Sequence, residues 1–186
     1  MPARSFRSRR PIGALALLSA VSVLALQAGP ATASRHATAA AAGACFSSSL
    51  VVWLNTNGSG AAGSSFFNLE FTNLGSSSCT LNGYPGVSGL SLSGAQLGSP
   101  ASRNPQHKPV TVTLAPKATA HIVLRIVDAL NYPKSACAPV TAAALRVYPP
   151  GQTASKVVPY PFLACSKAGS NYLSVEAVQP GPGGAN

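Results

Sequence analysis

Between Leu50 and Val178 the chain runs through short stretches of apolar residues alternating with polar ones, closed by Gly, Pro, Asn or Ser. From Ser65 to Thr72, residues Phe67, Leu69 and Phe71 fall on one face and Asn68, Glu70 and Thr72 on the other. Ala120, Ile122, Leu124 and Ile126 alternate with His121, Val123, Arg125 and Val127, and Val110, Val112 and Leu114 alternate with Thr111 and Thr113. A period of two marks strands with one face on a core. Residues 50–54, 87–92 (weakened by Gly89), 144–148, 157–163 and 172–178 bring the set to about eight. Residues 142–145 alone could add a helical turn. Short strands with turn residues between them predict an all-β fold, an antiparallel Ig-like β-sandwich over residues 45–179. Trp53, inside an apolar run, is expected to anchor the core; His121, on the polar side of its strand, is expected to face solvent.

The ends read differently. Arg4, Arg7, Arg9 and Arg10 precede an apolar stretch from Ile12 to Ala28, then Gly29-Pro30 and the small residues Ala31-Thr32-Ala33. This is the three-part pattern of a secretory signal, so residues 1–33 are expected to be a signal peptide cleaved after Ala33. The apolar stretch is at the short limit for a span, so no stable membrane span is expected after cleavage and the product is expected to be secreted. Ser8-Arg9-Arg10 leaves general and twin-arginine export both open. Residues 34–44 form an Ala-rich spacer expected to be flexible, and residues 180–186 a Pro/Gly tail expected to be disordered.

Charge narrows the partners. The chain carries 13 Lys+Arg against 3 Asp+Glu, a net +10. Loss of the four leader arginines leaves +6 on nine cations spread without a run. Nucleic-acid binders concentrate their charge, so no nucleic acid is expected. A diffuse positive charge suits solubility and weak attraction to an anionic wall or membrane. The expected partner is a cell-envelope component or an extracellular protein, bound by a monomer.

Four cysteines in an exported chain predict two disulfides, with three possible connectivities. Cys45 precedes one strand and Cys79 follows its hairpin partner, while Cys137 and Cys165 stand equally far from the turn at Gly151. In an antiparallel pair the start of one strand lies beside the end of the next, which predicts Cys45–Cys79 and Cys137–Cys165. No Cys-x-x-Cys spacing is present, so zinc is not expected.

Catalysis has few ingredients. There is no Gly-x-Ser-x-Gly elbow or His-Glu-x-x-His, and the material for a triad is limited to His36, His107, His121, Asp128 and many serines. No catalytic residue is assigned and no enzyme is expected. The longest linker, Ser93 to Lys108, carries Arg103, His107 and Lys108 at its end and is the candidate contact surface. Four of the five tyrosines, Tyr84, Tyr132, Tyr148 and Tyr160, precede Pro. Such steps hold the backbone extended at a strand edge or present a ring to a sugar. No cofactor is expected. Cleavage after Ala33 would leave Ser34-Arg35-His36 as a new N-terminus, whose amine, two amides and third-position imidazole suit Cu(II), a candidate metal site that could be adventitious.

The segment Phe71-Thr72-Asn73-Leu74-Gly75 through Cys79-Thr80-Leu81-Asn82-Gly83-Tyr84-Pro85-Gly86-Val87 resembles the signature of an actinobacterial family, the domain of unknown function 4232. The resemblance extends through Gly60–Gly63, Val112–Pro116, Cys137-Ala138-Pro139, Val147–Gly151 and Cys165 to Leu173-Ser174-Val175. It implies an exported or membrane-tethered domain without an assigned activity. Members commonly carry Gly where this chain has Lys117, which is expected to alter one turn. The reading is a secreted, non-catalytic binding module, with a secreted protease inhibitor or enzyme accessory factor and a small-ligand carrier as alternatives.

Overall fold

A computed structural model describes residues 41–184, and its twelve strands form three sheets. The first sheet has the order β1 (Leu50–Ala61), β2 (Ser64–Asn73), β8 (Thr119–Val127), β11 (Leu173–Val175), β6 (Ser102–Arg103), and β12 (Gln179–Pro180) also pairs with β8. The second has the order β10 (Lys156–Cys165), β9 (Pro139–Tyr148), β4 (Gly86–Leu90), β5 (Gln96–Leu97). The third joins β3 (Cys79–Asn82) to β7 (Thr111–Leu114). Every strand pair is antiparallel except β11 with β6.

The period-two pattern sorts the faces as expected. Phe67, Leu69 and Phe71 of β2 and Ala120, Ile122 and Leu124 of β8 are buried in one core with Val87, Leu145, Val147 and Val158 of the second sheet. The all-β fold therefore holds, with more strands than the eight anticipated. The additional ones are β3, β5, β6 and β12, of two to four residues, too short for alternation to register. Residues 142–145 are strand throughout, because β9 has ladder partners on both sides, β10 and β4.

Both disulfides join the expected cysteines, Cys45 to Cys79 and Cys137 to Cys165, and no described cysteine is free. Each closes a hairpin: β1 with β2 from Leu50 opposite Asn73, and β9 with β10 from Pro139 opposite Cys165.

Gly89, which weakened the sequence pattern, makes room for a core anchor. A Cβ there would lie 2.7 Å from the hydroxyl of Tyr172, a fully buried side chain whose O–H donates to the Leu97 carbonyl at 3.0 Å. Trp53 does not take that role. Val52 and Leu54 point to the core, so alternation puts Trp53 on the outer face, 41% exposed, its indole N–H donating to Thr72 Oγ1 at 3.4 Å.

The tail also departs from expectation up to Gly184. Gln179 and Pro180 pair with His121 and Ala120, and the following glycines cross the outer face of β8 and β2. Gly and Pro bring no side chains to a core, but a chain without Cβ atoms approaches closely enough for its main-chain groups to bond to the sheet's side chains. His121 is consequently half-buried beneath this segment. At the other end Gly43 already belongs to the fold, its carbonyl accepting from Thr80 N at 2.8 Å. The expected signal peptide and the candidate copper ligands Ser34, Arg35 and His36 lie outside the described residues. Among the described residues, no helix is long and apolar enough to cross a membrane.

Candidate functional site

The two sheets part at one end of the sandwich, where two edge strands are irregular. β1 loses register between Asn55 and Ser59, and β10 between Pro159 and Phe162. The second irregularity follows from Pro159-Tyr160-Pro161, since two residues without N–H cannot sustain a ladder and are confined to edges and bulges. The first carries Gly58 across Phe67, where a Cβ would stand 2.6 Å from the ring. The result is a pocket of about 430 Å³ bounded by the Gly60–Ser65 turn, the end of β8 at Ile126 to Asp128, and β10.

Its apolar wall is aromatic. Phe67 and Tyr160 meet edge to face at 5.2 Å, and Tyr160 stacks with Phe162 at 6.0 Å. Phe162 lies 6.4 Å from Tyr172, which ties the wall to the core. Burial pushes the Tyr160 hydroxyl above the ordinary tyrosine range, so it stays a neutral donor. The opposite wall is polar: main chain from Gly60 to Gly63, the Ser64 and Ser65 residues, and Asp128, whose Oδ1 accepts from Leu130 N at 2.9 Å. An apolar cleft with a few convergent polar groups has the shape and chemistry of a small-molecule site. A second hollow of about 300 Å³ beside Cys79 is lined chiefly by Gly and Ser.

The residues singled out in the sequence lie elsewhere. Arg103, in β6, places its guanidinium 5.4 Å from the ring centre of Tyr84. His107 Nδ1 is 2.8 Å from Glu176 Oε2, and Asn104 Nδ2 donates to Glu176 Oε1 at 3.2 Å. Arg103 thus pairs with Val175 of β11 and His107 with Glu176 just beyond that strand, and Lys108 follows in the exposed chain. The linker is therefore no free excursion: it contains β5 and β6, and its end is hydrogen-bonded to a buried acid. Sequence reasoning missed Glu176 because the pair is formed across 69 residues of chain.

Chemically, His107 with Glu176 is an oriented imidazole, two of the three parts of a hydrolytic triad. Among the described residues, no hydroxyl or thiol is hydrogen-bonded to His107. Nor do three His, Cys, Asp or Glu side chains come together among the described residues in a way that could hold a metal ion.

One further acid departs from its expected place. Glu70, on the polar side of the alternating pattern, is fully buried beneath the tail, with Oε1 accepting from Gly183 N at 3.0 Å. The sequence does hold a signal for this: the supposed polar face of β1, β2 and β8 includes Val51, Trp53 and Val123, too apolar to be left wholly wet.

No curated protein and no solved structure is similar to the chain at a significant level. A family model does match, over residues 45–179, the same span that the strand pattern delimits and that carries both disulfides. The chain belongs to the family described as Domain of unknown function (DUF4232).

Proposed function

We propose that the protein is a secreted, non-catalytic binding module acting outside the cell or at its envelope, and that its ligand occupies the aromatic pocket at the open end of the sandwich. The pocket carries this reading: about 430 Å³ of space between Phe67, Tyr160 and Phe162 on one side and a polar turn on the other. The ligand class that fits is a small ring-bearing molecule, its flat face against the aromatic wall and its polar edge toward Ser65 and Asp128. Two disulfides and the signal-like leader support export. Of the readings weighed from the sequence, the small-ligand carrier gains most. Non-catalytic action is supported by two of the three acids, each occupied by a main-chain amide: Glu70 by Gly183 and Asp128 by Leu130.

The test is a fluorescence titration of the disulfide-bonded protein with N-phenyl-1-naphthylamine, a neutral three-ring aromatic probe. Saturable binding is expected, weakened roughly tenfold by Tyr160→Ala or Phe162→Ala, the scale set by loss of one aromatic contact and its buried area. Binding that neither substitution weakens, or no saturable binding, overturns the assignment of the pocket.

A further inference from the structure

The outer face of the first sheet holds a buried carboxyl under a removable roof. Glu70 sits in β2, between β1 and β8, opposite Trp53 on one side and His121 on the other. Residues 181–184 cross above it. Gly181 O lies 2.8 Å from His121 Nδ1, Gly183 N donates to Glu70 Oε1, and Gly184 O accepts from Asn68 Nδ2 at 2.5 Å. The fit demands glycine, since a Cβ on Gly183 would collide with the Asn68 amide. Glu70 Oε2 is left without a hydrogen-bond partner, alone among the buried side-chain polar atoms of the described residues.

We infer that residues 179–184 are a proton-gated strap, docked over a neutral Glu70 and loosened when Glu70 ionises. A neutral carboxyl is buried at modest cost, whereas a carboxylate with one oxygen stripped of water and unbonded is costly. The groups facing it offer little compensation. From β8 comes His121, from β1 the uncharged Trp53, from its own strand Asn68 and Thr72, and the strap itself (Gln179, Pro180, Gly181, Pro182, Gly183, Gly184) carries no charge. Burial raises the Glu70 pKa, opposed more weakly by the Gly183 hydrogen bond and the attraction of His121. The ionised group can be rehydrated in two ways. Unpairing β2 would break two ladders and the core, while lifting the strap breaks a few peripheral contacts. The second route is the cheaper.

The sign follows from linkage. The docked state holds the proton more tightly than an open state with an ordinary carboxyl. Docking is strongest below the ordinary carboxyl pKa and weakens as pH rises through the raised one.

Hydrogen exchange of the Gly183 amide in the full disulfide-bonded chain, followed by NMR from pH 4 to 8 and corrected for the intrinsic rate, tests this. Protection of Gly183 is expected to fall several-fold with rising pH while the amides of β2 stay protected. Glu70→Gln should flatten the dependence. Should that variant fail to fold, Gly183→Ala should remove strap protection at every pH and move any pH response of Trp53, the chain's single tryptophan, down toward the ordinary carboxyl range. Constant Gly183 protection across the range in the wild type overturns the inference. So does an unchanged pH response in Glu70→Gln or in Gly183→Ala.

Discussion

The side-chain amide of Asn73 donates to the Leu114 carbonyl at 3.0 Å inside the fold. The same nitrogen donates to Ser77 O at 2.9 Å, and Oδ1 accepts from Gly75 N at 2.8 Å. One buried side chain thus joins the end of β2 to β7 and shapes the loop that delivers Cys79 to its disulfide. Asn suits position 73 for a structural reason: only an amide offers two N–H donors and an acceptor on one short stem. Asn73→Ala is expected to cost about 1–3 kcal/mol by leaving these groups unpaired. Asn73→Asp should cost at least as much, because a carboxylate cannot donate to two carbonyls. Urea denaturation of the oxidised protein measures both, and an Asp variant as stable as wild type would refute the donor role.

A second loop holds stored strain. Ala115, Pro116, Lys117 and Ala118 form a turn in which Ala118 N donates to Ala115 O at 3.0 Å and Lys117 has φ +67°. Pro at the second position and positive φ at the third define a type II turn, which favours Gly at the third. Lys117→Gly is expected to stabilise the protein by about 0.5–1 kcal/mol, the relief of left-handed backbone less the added freedom of Gly in the unfolded chain. Lys117→Ala should bring no such gain, as Ala needs the same strained φ. A denaturation midpoint that rises equally for Ala and Gly would mean the charge, and not the backbone, is responsible.

What was legible in the sequence follows from range. Alternation is local, so the long strands and their inward faces, such as Phe67, Leu69 and Phe71, could be read directly. The disulfides were legible because each joins the ends of one hairpin. Partners far apart in sequence were not. Nothing near His107 announces Glu176, and nothing near Glu70 announces Gly183, 113 residues on. Trp53 is misplaced when its apolar run is read without the alternation of the strand. The pocket was foreshadowed only by Pro159-Tyr160-Pro161, since a cavity between sheets depends on two bulges that no single segment reveals.

Tyr172 is the one tyrosine not followed by Pro, and the fold buries it completely. Burial pushes its hydroxyl up to about 12 from an ordinary value of 10.0. The native state therefore keeps this proton where the unfolded chain gives it up. The stabilisation from the neutral hydroxyl is whole below pH 10 and is lost as pH rises from 10 toward about 12. Tyr172→Phe is expected to cost about 1–2 kcal/mol at neutral pH, where it strands the Leu97 carbonyl. The variant should then lose stability less steeply in the alkaline range, so the gap to wild type narrows. Unfolding free energies measured at closely spaced pH values across that range decide it. Parallel curves for the two proteins would show that Tyr172 does not carry the alkaline transition.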